Sequence, residues 1–182
     1  IIGITGTNGK TTTAYLIYQA LNNIGIKAAY IDKIGFYIDG EYRSLSNTTP
    51  DILEVYELLI ECKNKNIEYV VMEASSQGLD MERLSGLQFK YGIFTNLTQD
   101  HLDYHGTMDN YLKCKLKLFD MVDKRIVNID SEYSKYFVTD NTLYYGFNGG
   151  DYHITDYKMG SNTKFTYTYK DKLTLLAGIR ED

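Results

Sequence analysis

Ile1-Ile2-Gly3-Ile4-Thr5-Gly6-Thr7-Asn8-Gly9-Lys10-Thr11-Thr12-Thr13 opens the chain and decides its fold. An apolar strand runs into a loop whose glycines let backbone N–H groups turn inward around a polyphosphate. Lys10 supplies a point charge, and the hydroxyl of Thr11 can ligate magnesium. The general phosphate-loop pattern wants glycine where this chain has Ile4, so the loop is a short variant. Its flanks support the reading: a hydrophobic strand precedes it, and a helix with Ala14, Ile17, Leu21 and Ile24 on one face follows, stopped by Gly25.

Working outward, apolar runs alternate with helical patterns, which is the signature of crossover units and a parallel sheet. Strands are expected at residues 27–32, 69–72, 91–95 and 125–129, and helices at 51–65 and 108–119. Asp39-Gly40 is a hairpin turn dipeptide. Thr49 is read as a helix N-cap with Pro50 in the first helical position, and a capped N-terminus is also an anion site. Beyond about residue 150, Phe165, Tyr167 and Tyr169 alternate with Thr166 and Thr168, with turns at Gly160-Ser161 and Lys170-Asp171, the pattern of an antiparallel meander. The expected class is α/β: a phosphate-loop, mostly parallel sheet flanked by helices over residues 1–150, with antiparallel strands over 151–182.

Composition narrows the partners. The 182 residues carry 19 basic and 24 acidic side chains without a basic cluster, which argues against a nucleic-acid or membrane surface and leaves a phosphorylated small molecule compatible. Cys62 and Cys114 fall in separate helical patterns, suiting a reducing compartment, and no apolar run is long enough to span a bilayer. The expected location is the cytoplasm. Because the chain starts inside a strand and without methionine, it is read as an excised domain.

Two strand ends carry the polar chemistry. Glu73 closes a hydrophobic strand, a usual place for a carboxylate that holds magnesium or orients water, and ligands of open parallel sheets bind outside such ends. Lys10, Glu73 and the segment after Asn96 should therefore face one crevice. In that segment Asp100, His101, Asp103 and His105 are candidate metal or phosphate contacts, or equally a solvated turn whose aspartates cap the next helix. His101 and His105 also have the spacing of a helical zinc pair, without a third ligand.

Four ordered blocks then resemble one family. Residues 6–13, Asn47-Thr48-Thr49-Pro50-Asp51, Met72-Glu73-Ala74-Ser75-Ser76-Gln77-Gly78-Leu79 and residues 94–108 are similar to the Mur ligases of bacterial cell-wall synthesis, most closely the type that adds the third residue of the peptide stem. The resemblance implies an ATP-dependent amide-forming ligase. In it a carboxylate of UDP-N-acetylmuramoyl-L-Ala-D-Glu takes the γ-phosphate and the acyl phosphate is captured by an amino acid. It implies Gly6, Thr7, Asn8, Gly9, Lys10, Thr11 and Thr12 as the ATP loop, and Lys10, Glu73, His101 and Lys115 as catalytic residues. Magnesium is implied at Thr11, Glu73 and His101, and at Lys115 if carbamylated; Asn47, Thr48, Thr49, Ser75 and Arg83 are implied as substrate contacts. Gln77 and Met81 depart from the residues common there. Neither the N-terminal domain that grips UDP nor the C-terminal domain that positions the amino acid is recognisable, so full turnover is not expected from this chain alone. The competing readings are a folate polyglutamate or cyanophycin ligase, and a noncatalytic nucleotide-binding subunit that acts with a partner.

Overall fold

A computed structural model describes residues 1–160, 162–170 and 173–180. In chain order the elements are β1 (Ile2–Thr5), α1 (Lys10–Asn23), β2 (Ala28–Ile31), β3 (Phe36–Ile38), β4 (Glu41–Arg43), α2 (Ile52–Asn64), β5 (Tyr69–Glu73), α3 (Ser76–Asp80), β6 (Phe89–Phe94), α4 (Leu102–His105), α5 (Met108–Phe119), β7 (Val122–Asn128), β8 (Thr142–Gly146), β9 (Tyr152–Lys158), β10 (Asn162–Tyr169) and β11 (Leu173–Arg180). The strands form one sheet in the order β11-β10-β9-β8-β7-β6-β1-β5-β2-β3-β4. From β2 to β9 every pairing is parallel. Antiparallel strands extend both edges.

Side-chain alternation explains why the centre is covered on both faces. Ala29, Ile31, Val70 and Met72 pack with Val55, Leu58 and Cys62 of α2 and with Leu118 and Phe119 of α5 in one core. The intervening Tyr30 and Val71 join Ile2, Ile4, Ile93 and Ala14 of α1 in the other. Strands buried on both faces read as continuous apolar runs, as these do. Connections from β1 lead to β2 on one side, while β5 and β6 flank β1 directly. The sheet order therefore changes direction at β1, and the loop after that strand opens into a crevice.

The expected hairpin is present: Asp39 and Gly40 both have positive φ, 53° and 80°, as a two-residue turn between twisted strands requires. The expected meander is β9–β11, joined to the parallel sheet through β8–β9; Ser161 and Asp171 of its two turns lie outside the described residues.

Two local expectations are corrected. The N-cap of α2 is Asp51, because the Thr49 hydroxyl is committed elsewhere, donating to Glu73 O at 3.1 Å and accepting from Ser75 N at 3.0 Å. Ile24 is 72 % exposed instead of packed, since α1 ends at Asn23 and Gly25 (φ 84°) turns the chain away from the sheet.

Candidate functional site

The loop after β1 is held from below. Thr5 Oγ1 donates to Ala74 O at 2.8 Å, Asn8 N donates to Asn96 Oδ1 at 2.9 Å, and Thr95 Oγ1 donates to Asn8 O at 2.7 Å. Gly6 has φ 153°, and a Cβ there would lie 1.9 Å from Thr95 Oγ1, so only glycine lets the loop sit this close to the end of β6. Lys10 Nζ folds back over the loop, donating to Gly6 O at 3.1 Å and Thr7 O at 2.9 Å.

This loop lines a cavity of 570 Å³ into which the end of β5 also projects. Lys10, Glu73, His101 and Lys115 all line it, together with Thr7, Asn8, Gly9 and Thr11 of the loop. On its far wall are Asn47, Thr48, Thr49, Ser75 and Arg83. Gly6 does not line the cavity; its carbonyl accepts from Lys10 Nζ and Lys115 Nζ. Thr12 does not line the cavity: one residue further along α1, its side chain is turned to solvent, and only its backbone faces the loop.

Glu73 is 1 % exposed at the end of β5, and its Oε1 has no hydrogen-bond partner among the described residues. Burial raises its pKa, while the Thr11 hydroxyl and the Lys10 ammonium pull the other way. A buried, unsatisfied carboxylate oxygen is costly in a finished protein unless it has a ligand. Among the described residues no group of three or more His, Cys, Asp or Glu could hold a metal ion. What Glu73 and Thr11 offer is instead a partial set of hard oxygens. That fits magnesium, which completes its shell with substrate phosphates and water, and not a zinc site.

Lys115 is delivered by α5. The helix is capped by Thr107, whose hydroxyl accepts from Asn110 N at 3.2 Å, and it buries Tyr111, Lys115 and Leu118 on one face. Lys115 is 1 % exposed, donates to Gly6 O at 2.8 Å and lies 4.3 Å above the Tyr111 ring. Among the described residues no carboxylate forms an ion pair with it, and burial, reinforced by Lys10, holds its pKa well below the usual lysine range. The helix presents a buried amine whose charged form is disfavoured.

Arg83 Nη1 donates to Thr49 O at 2.9 Å and Arg83 Nε stands 3.5 Å from Asp51 Oδ1, which leaves the guanidinium at the cavity wall beside Thr49 and Ser75. Met81, 53 % exposed, and Gln77 also line the cavity.

The four polar residues after Thr98 separate. Asp100 Oδ1 accepts from His101 N at 2.8 Å, and His101, with left-handed backbone (φ 51°), faces the cavity. Asp103 is exposed. His105 is buried behind the wall, against Ser76 and Cys114, and is not a contact of this cleft. The zinc pair fails for a geometric reason: His101 precedes α4 instead of belonging to it, so the spacing of four residues does not place the two rings on one helical face.

Sequence reasoning missed Lys33, Ser76 and Tyr104 as cavity residues and did not give Tyr111 a role in the site. Lys33 was findable, since it follows the C-terminal end of the parallel strand β2. Ser76 and Tyr104 carry no such signal.

A phosphate-type loop, a buried strand-end carboxylate and a buried lysine around one cleft at the switch point of a parallel sheet define a nucleotide-binding α/β domain of the phosphate-transfer class. Residues 4–177 match the family described as Mur ligase middle domain, and the chain belongs to that family. It is similar to the UDP-N-acetylmuramoyl-L-alanyl-D-glutamate–2,6-diaminopimelate ligase of Clostridium perfringens, 45 % identical over 140 residues that make up 77 % of this chain and 29 % of that protein. It is likewise similar to the ligase of the same name from Wolinella succinogenes, 37 % identical over 174 residues, 94 % of this chain and 40 % of that one. A solved structure of a ligase with this name superposes with a TM-score of 0.86 at 27 % identity, covering 96 % of this chain and 38 % of that chain. The fold, though little of the sequence, is shared with Thermotoga maritima MurF in complex with ADP, at a TM-score of 0.64 and 16 % identity. The chain thus spans between a quarter and two fifths of the length of the curated relatives it matches.

Proposed function

We propose that this chain is the ATP-binding part of a ligase that joins an amino acid to UDP-N-acetylmuramoyl-L-Ala-D-Glu in peptidoglycan precursor synthesis, in the cytoplasm. The observation that carries the reading is the unpartnered Glu73 Oε1, sharing one cavity with the phosphate loop on one side and with Arg83 on the other. Such a cleft is built to bring two anions together.

In this reading the backbone of residues 6–12 and Lys10 hold the ATP phosphates. Thr11 and Glu73 hold magnesium, with His101 toward a second ion. Magnesium supplies charge neutralisation of the phosphates. Arg83 binds a carboxylate of the acyl substrate in forked geometry, and Asn47, Thr48, Thr49 and Ser75 fix its orientation. The substrate carboxylate oxygen bonds to the γ-phosphorus as the bond to ADP breaks. The amino group then bonds to the acyl carbon, phosphate departs and the amine gives up a proton. Lys115, whose charged form burial disfavours, is suited to take up carbon dioxide as a carbamate, which would place a carboxylate-like group beside the second ion.

The test is ADP release by the full-length protein. It should require ATP, magnesium, UDP-N-acetylmuramoyl-L-Ala-D-Glu and an amino acid together; the relatives' names make 2,6-diaminopimelate the first to try. ADP formed with folate substrates instead would favour a folate polyglutamate ligase. ATP binding without turnover on any muramyl substrate would favour a noncatalytic subunit.

A further inference from the structure

Behind the wall of the cleft, four side chains form a continuous polar chain. Ser76 Oγ lies 2.9 Å from His105 Nε2, His105 Nδ1 lies 3.6 Å from Cys114 Sγ, and Cys114 Sγ lies 3.4 Å from Asp80 Oδ1. Ser76, at one end, lines the main cavity and is 4 % exposed. Asp80, at the other, opens into a second cavity of 340 Å³ that His105, Cys114, Tyr104 and Lys117 also line. His105 is 6 % and Cys114 7 % exposed, and the imidazole is stacked on Tyr111 with centroids 4.9 Å apart, so the ring has no freedom to turn elsewhere.

The direction of each hydrogen bond follows from which groups can donate. Asp80 is held ionised, its Oδ1 taking a bond from Lys117 Nζ at 3.1 Å and its Oδ2 one from the Tyr104 hydroxyl at 3.1 Å. A carboxylate only accepts, so the Cys114 thiol donates to it. Burial keeps His105 neutral. With its one proton directed at Asp80, Cys114 sulfur receives from Nδ1–H. A neutral imidazole protonated at Nδ1 has a bare Nε2, and so it accepts the Ser76 proton. The Ser76 oxygen therefore turns lone pairs, and no proton, toward the cleft.

We propose that Ser76 is a specificity-determining residue that accepts a hydrogen bond from an N–H group of the acyl substrate, with Asp80, Cys114 and His105 as positioning residues that set its polarity. This rests on the ligase reading, because the substrate named there is a peptide whose amides are the donors. On the same wall Arg83 only donates and recognises oxygens. Ser76 adds the complementary half of the code.

Two measurements on the full-length protein decide it. Imidazole nitrogens labelled with nitrogen-15 can be assigned to His105 by the loss of its signals in His105→Gln, and His105 should show the neutral, Nδ1-protonated tautomer. Cys114→Ala should shift it toward the Nε2-protonated form and Cys114→Ser should restore it, a signature that mere packing would not give. Ser76→Ala should raise KM for the muramyl substrate about tenfold, the loss of one buried hydrogen bond, while KM for ATP stays as it was. An Nε2-protonated His105 in the unmodified protein, or an unchanged KM in Ser76→Ala, overturns the proposal. Failure of the unmodified protein to form any amide would instead overturn the ligase reading and the substrate half of this inference, while the tautomer still decides the hydrogen-bond chain.

Discussion

Lys115 and Glu73 are opposite charges whose burial disfavours ionisation in both, and they make opposite contributions to stability against pH. Lys115 titrates below its ordinary 10.5 in the folded state, so above its folded pKa the unfolded chain binds the extra proton. Its contribution to stability therefore grows as pH rises from its folded pKa to 10.5. Lys115→Met, which keeps length and removes the amine, should flatten that part of the stability curve measured by urea unfolding. At neutral pH it should cost less than about 1 kcal/mol or even stabilise, because a buried amine whose charged form burial disfavours is replaced by an apolar group. Amide formation should nevertheless be lost. For Glu73 the folded pKa is raised, so its contribution is greatest below its unfolded value of 4.5 and is lost as pH rises through the folded pKa. Glu73→Gln removes the anion and keeps the shape; turnover should fall by about a hundredfold with little change in thermal midpoint, and raised magnesium should recover part of it. Unchanged turnover at ordinary magnesium would remove Glu73 from the site.

Elements deliver these residues, and here α5 matters most. Its Thr107 cap satisfies Asn110 N, and about three turns later the same helix closes the core with Phe119. Thr107→Ala should cost about 1 kcal/mol of unfolding free energy, read from denaturant midpoints at constant slope. Lys115 hangs from the helix that this cap starts, so activity at elevated temperature should fall with the same midpoint. The helix itself was legible, since its helical pattern predicts residues 108–119 and the structure gives Met108–Phe119. The start of α2 was not, because Thr49 is as good a cap as Asp51 in sequence. Its hydroxyl is claimed by Glu73 O and Ser75 N, residues more than twenty positions away.

Over the whole molecule, the parallel centre of the sheet has a core on each face while β4 at one edge has only exposed side chains. Hydrogen exchange should accordingly be slowest in β1, β5 and β6 and fastest in β4; equal protection across them would contradict a core seated on the central strands. Phe137 joins the outer part of that core, fully buried and stacked on Phe94 with centroids 3.8 Å apart. Phe137→Ala should cost about 3–5 kcal/mol by calorimetry or denaturant unfolding, because a cavity of ring size cannot collapse between Phe94 and Phe119.

Local order alone made the phosphate loop, the alternation of strands and helices, and the strand-end position of Glu73 readable, because glycine spacing, hydrophobic period and strand termini are properties of neighbouring residues. The resemblance of four ordered blocks extended this to Lys115, Arg83 and the residues around Thr49. Which side of α4 each histidine takes, where the Thr49 hydroxyl is spent, and that Ser76, His105, Cys114 and Asp80 meet were decided only when the chain closed on itself. Those outcomes depend on hydrogen bonds and burial between groups as much as 34 positions apart, from Asp80 to Cys114, and no local pattern encodes partners at that separation.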